Sequence, residues 1–126
     1  MLIKEIDQSL DKQAQLQKFC DWACKRLNIK KDPDIRYSND LDEVEQKRTY
    51  GSTHPTGEIW VHVGSRTPAD IMRTLCHELV HYKQFDVGLA SEEMSEEQRQ
   101  SIEDVANAVA GRLMRDYGKL HSEIYS

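Results

Sequence analysis

Two histidines four positions apart enclose a glutamate in the run His77-Glu78-Leu79-Val80-His81. On an α-helix that spacing sets both imidazoles on one face, about one turn apart, where they can reach a single metal ion. Glu78, beside His77, can then reach a water on the metal without being a ligand. Catalytic zinc takes three protein donors and keeps its fourth position for water, so Zn2+ is the expected ion and a third ligand must lie downstream. The candidates are Glu92, Glu93, Glu96, Glu97, Glu103, Asp104, Asp116 and His121. Those from Glu92 to Glu97 fall in a loop or at a helix start, where carboxylates face solvent and the helix dipole. Glu103 sits one turn into the last helix, beside its apolar stripe, with Asn107, Ala110 and Met114 continuing its face. It is the preferred ligand, and Asp104 the next choice. Ala106, Ala110 and Gly111 are small enough to let this helix approach the one bearing the histidines.

The elements that must hold these residues are marked by local signals. Thr67-Pro68-Ala69-Asp70 combines an N-cap threonine, proline at the first helical position and an acid three after the cap. Ile71, Leu75, Leu79 and Tyr82 continue with helical spacing, and Gly88 supplies a stop. After a polar loop from Leu89 to Met94, Ser95-Glu96-Glu97-Gln98 is a capping box opening the last helix. Its expected core stripe is Ile102, Val105, Ala106, Val109, Leu113 and Tyr117, ending at Gly118. Upstream, Leu10, Ala14, Leu16, Phe19, Cys20, Ala23 and Leu27 predict a first helix capped by Ser9 or Asp7 and ending near Asn28. Between lie strand signals at Asp34 to Ser38, Gln46 to Ser52 and Glu58 to Val63, with a turn at Thr53 to Thr56. In the last strand Ile59, Val61 and Val63 share one face, Trp60 and His62 the other. The order helix, two or three short strands, helix, helix is an α+β arrangement, expected to form one domain over residues 1–126.

With these motifs the chain resembles the gluzincin type of zinc peptidase, in which a helix bearing two histidines and a glutamate precedes a helix supplying a glutamate ligand. Glu103-Asp104-Val105-Ala106-Asn107 is similar to that glutamate helix, and the small bacterial and phage metallopeptidases, including the repressor-cleaving type, share the organisation of roughly residues 46 to 118. The resemblance implies a minimal zincin-like fold and hydrolysis of a polypeptide. Zinc on His77, His81 and Glu103 would bring the pKa of its water toward about 7. Glu78 would take the proton and pass it to the leaving amine. Asn107 stands where thermolysin-like members carry an aspartate beside a ligand histidine; it can accept a hydrogen bond there but adds no charge. An oxyanion donor is also needed, from among Tyr50, His54, His62, Tyr117, His121 and Tyr125. The strand Gly57 to Val63 is a candidate edge for the substrate backbone.

Composition narrows the alternatives. The formal net charge is −5, and without a basic stripe direct nucleic-acid binding is not expected. No apolar run reaches membrane-spanning length and the first ten residues lack an apolar signal core, so a cytoplasmic, monomeric protein is expected. Cys20, Cys24 and Cys76 have no framework spacing, and Cys20 and Cys24, four apart on the first helix, read as buried thiols rather than metal ligands. The competing function is a non-catalytic interaction or regulatory protein that uses zinc to stabilise a small fold. Glu78 speaks for catalysis, since a structural site has no use for it.

Overall fold

The computed structural model describes residues 2–125, with side chains from residue 12 onward. Helix α1 (Leu2–Arg26) is followed by strand β1 (Asp34–Ser38), helix α2 (Leu41–Lys47), strands β2 (Gly51–Thr53) and β3 (Glu58–His62), and helices α3 (Pro68–Asp86) and α4 (Glu96–Leu120). A short 3-10 turn, Ser122–Tyr125, closes the tail. This is an α+β fold with one small three-stranded sheet. The capping expected of Ser9 or Asp7, and Leu10 of the first stripe, lie outside the described side chains.

Helix α3 is central because apolar residues cover most of its circumference. Ile71, Met72, Leu75, Cys76 and Leu79 are fully buried, between α1, the sheet and α4. Thr67 caps it, accepting from the Asp70 N–H. Ser95 and Gln98 form the reciprocal capping box of α4, as their spacing predicts. On α1, Phe19 and Ala23 are fully buried while Ala14 faces solvent. Phe19 and Trp22 meet Tyr117 edge-on, at ring-centroid distances of 4.9 and 5.0 Å.

Several expectations are corrected. Strand β3 is not an edge: it pairs in parallel with β1 and antiparallel with β2, in the order β1-β3-β2. Both of its faces are buried, since Ile59 and Val61 meet the core while Trp60 and His62 lie on the far side. Residues 46 and 47 end α2 rather than begin a strand, and β2 is confined to Gly51–Thr53. Asp40 caps α2 and Arg48 closes it in the left-handed region. On α4 the buried residues are Ala106, Ala110, Leu113, Met114 and Tyr117, whereas Val105 is 49% exposed. The packed face is rotated toward Ala110 and Met114, and the missing Cβ of Gly111 meets no neighbour. Gly118 does not stop α4. A Cβ there would stand 2.8 Å from the Tyr125 hydroxyl, so the glycine makes room for the tail to fold back.

Candidate metal centre

The buried residues of α3 fix the rotation of that helix, and with it His77 and His81 point to one side, toward α4. Glu103, about two turns into α4, meets them. Its Oε2 lies 3.2 Å from His77 Nε2, its Oε1 3.0 Å from His81 Nε2, and the two Nε2 atoms are 3.0 Å apart. Four ligands at zinc's usual bond length of about 2.0–2.1 Å stand roughly 3.3 Å apart at the corners of a tetrahedron. The three donors therefore have both the chemistry and the spacing of one metal's ligands, and the group can hold a metal ion. His81 is buried, His77 largely so, and the Glu103 side chain is 50% exposed, which leaves one side open to solvent.

A residue that sequence reasoning missed orients His81. Gln84, 4% exposed, donates from Nε2 to the Ile102 carbonyl at 3.2 Å, so its Oε1 faces His81 Nδ1 at 2.8 Å. Nδ1 must then carry the hydrogen, and the Nε2 lone pair is left for a metal. The same amide ties α3 to α4. Its only sequence signal is its place three residues after His81, which many surface glutamines share. On the other ligand, burial and the neighbouring His81 hold His77 below the usual histidine range, against the pull of Glu103 and Asn107. That direction favours the neutral imidazole, the form that binds metal.

Glu78 is only 6% exposed and lies on the sheet side of α3. Burial raises its pKa, opposed by the Thr53 hydroxyl, which donates to Oε1 at 2.8 Å. Thr53 also lies 3.0 Å from the Glu78 carbonyl, pinning β2 to the helix. The strand reaches this close because Gly51 has no side chain. A Cβ there would fall 2.6 Å from Thr74 Cγ2 and 3.1 Å from Glu78 Cγ.

An open cleft of about 710 Å³ runs past these groups, edged by β2, α3, the loop after α3 and the start of α4. Of the six candidate oxyanion donors only Tyr50 lines it. The Arg66 guanidinium stacks 4.5 Å from the centre of its ring and is held by the Thr74 hydroxyl and the carbonyls of His62 and Asp70. His62 is buried among the far-side residues of the sheet with neither ring nitrogen partnered. His54 stands exposed on the β2–β3 turn. Tyr117, His121 and Tyr125 gather at the distant end of α4. The other carboxylates do not join the site. Asp104 accepts from Gln100 and Asp116 pairs with Arg26, while Glu92 to Glu97 are exposed. The three cysteines are free, with Cys20 and Cys76 buried and Cys24 partly so; burial pushes the Cys76 thiol up to about 12.

The family model of the IrrE N-terminal-like domain, a peptidase family designated M78, matches residues 29–126, which include the whole sheet, α3 and α4. No curated protein and no solved structure matches the chain significantly.

Proposed function

The chain belongs to the IrrE N-terminal-like family of M78 peptidases, and from that premise we propose that it is a zinc-dependent peptidase of the gluzincin type. The observation that carries this reading is the pairing of two unlike carboxylates around one histidine pair. Glu103 meets both imidazoles within 3.2 Å, while Glu78, next to His77 and lining the same cleft, is buried and held by Thr53. A site that only stabilised the fold would gain nothing from burying a second carboxylate, because burial disfavours its charge.

His77, His81 and Glu103 would hold the zinc, and Asn107 would support His77 from α4. Bound there, zinc supplies Lewis acidity, which polarises a peptide carbonyl and makes water a better nucleophile. Glu78 accepts the proton of the attacking water and delivers it to the leaving nitrogen. Its raised pKa makes it a stronger base than an exposed carboxylate. Tyr50 is the oxyanion donor, its ring held in place by Arg66. The substrate backbone adds to β2, whose outer side borders the cleft.

The test is Glu78→Gln. Zinc content, by metal analysis after dialysis, is expected to match wild type. Cleavage of a proteome-derived peptide mixture, read by mass spectrometry, is expected to fall about 100- to 10,000-fold, roughly 3 to 5 kcal/mol of barrier. Full cleavage by the metallated variant removes Glu78 from the chemistry. No cleavage by either form leaves the zinc-stabilised regulator as the function.

A further inference from the structure

The two ends of the cleft differ in chemistry. Arg73, His77, His81 and Phe85 follow one another at four-residue steps along α3, and all four line the cleft. At 1.5 Å per residue, Arg73 and Phe85 stand about 18 Å apart along the helix axis, with the histidine pair between them. At the Phe85 end Met94 and Ile102 join the lining, and all three apolar side chains are only partly buried. Arg99 holds that end together, donating from Nε to the Met94 carbonyl at 3.4 Å.

The opposite end presents a second guanidinium besides that of Arg99, with none of these three apolar side chains beside it. Arg73 makes one hydrogen bond among the described residues, to Asp70 at 3.3 Å, and both side chains are more than half exposed. A surface pair of this kind contributes little. Arg73 lines the cleft with most of its five N–H donors uncommitted among the described residues, in the planar fork that takes a carboxylate two bonds at a time.

Resting on the peptidase reading above, we propose that this cleft selects an extended peptide with an apolar side chain on the Phe85 side of the scissile bond and an acidic side chain on the Arg73 side. An extended chain rises about 3.3 Å per residue, so about 18 Å holds five or so residues and each selecting contact falls within about three residues of the bond. Arg73, Phe85, Met94 and Ile102 determine specificity and take no part in the proton transfers.

Binding to the zinc-loaded Glu78→Gln protein tests this without turnover. The probes are fluorescent, acetylated and amidated ten-residue peptides, identical except for one position holding Leu or Ser and another, five residues away, holding Glu or Lys. Both orders along the chain are made. In one order the Leu/Glu peptide is expected to bind about tenfold more tightly than Leu/Lys. Adding Arg73→Glu reverses that charge preference, and adding Met94→Asp instead abolishes the preference for Leu over Ser. Equal binding of the Glu and Lys peptides in both orders overturns the proposal, as does a charge preference that survives Arg73→Glu, or no binding by folded, zinc-loaded protein. Cleavage of a peptide mixture by the wild type separates the two readings. Cleavage without acidic and apolar bias sinks the specificity alone, whereas charge-selective binding with no cleavage sinks the peptidase and upholds the cleft's selectivity.

Discussion

Helices α3 and α4 meet along two stretches built from opposite materials. Toward the C-terminal half of α4, Ala106, Ala110, Leu113, Met114 and Tyr117 pack against the core, and Phe19 and Trp22 of α1 close over Tyr117. Toward its start, Glu103 and the backbone of Ile102 meet His77, His81 and Gln84 through polar contacts, half open to water. The first stretch gains stability by removing apolar surface from water, about 1.5–3 kcal/mol for each large side chain fully buried. The second stands beside Glu78, a buried carboxylate on the sheet side of α3 whose desolvation opposes folding. The difference shows where the site gets its precision. Packing at one end fixes the spacing and rotation of the two helices, and the polar end uses the rigidity so obtained.

Three changes can break or sharpen this contrast. The largest effect is expected from Phe19→Ala, which empties a fully buried aromatic position and costs about 3–5 kcal/mol of stability in denaturant unfolding. Zinc affinity of the folded protein should stay near wild type; a parallel loss would mean that the two ends are coupled. Gln84→Leu acts at the other end. Releasing the His81 ring is expected to lower zinc affinity about 10- to 100-fold in a chelator competition, with a smaller loss of stability than Phe19→Ala. Unchanged affinity would reduce Gln84 to a strut between helices. The smallest effect concerns the buried carboxylate in metal-free protein. Because the folded-state pKa of Glu78 is raised, its stability contribution is fully present below the unfolded pKa and is lost as pH rises through the folded one. Metal-free Glu78→Gln should therefore melt with wild type near pH 4 and slightly above it at pH 7. The same Tm difference at both pH values would show that the carboxylate is not desolvated.

The parts of the fold written in local code were legible in the sequence. The Thr67-Pro68 start of α3 and the Ser95–Gln98 box each depend on contacts within four residues, so the chain announces them. Helix α2 was not legible, because it is seven residues long and buries none of them, which leaves no apolar period to read. Strand order is a property of long-range pairing, and the residues of β3 look alike whether the strand is central or at an edge. On α4 two apolar stripes compete, one through Val105 and one through Ala106, Ala110 and Leu113, with Val109 partly buried against the core. The winning stripe uses the smaller residues, since alanine lets α4 come close to α3, and only that rotation brings Glu103 to the histidines. The spacing of His77, Glu78 and His81 could be read directly, whereas the cleft's edge strand and Gln84 could not: each acts through an element distant in sequence or through an amide with no distinguishing neighbours.

The hairpin of α3 and α4 also bears on the order in which the molecule assembles. His77 and Glu103 are 26 positions apart in the chain, while Phe19 and Tyr117 are 98 apart. Loop-closure entropy grows as the logarithm of that separation, so joining the aromatic pair in an otherwise open chain costs about 1.2 kcal/mol more than joining the ligand pair. The ligands can therefore gather while the ends of the chain are still far from one another. A metal ion present during folding would find its donors in this local hairpin first, and the contact of Phe19 with Tyr117 would be among the last to close.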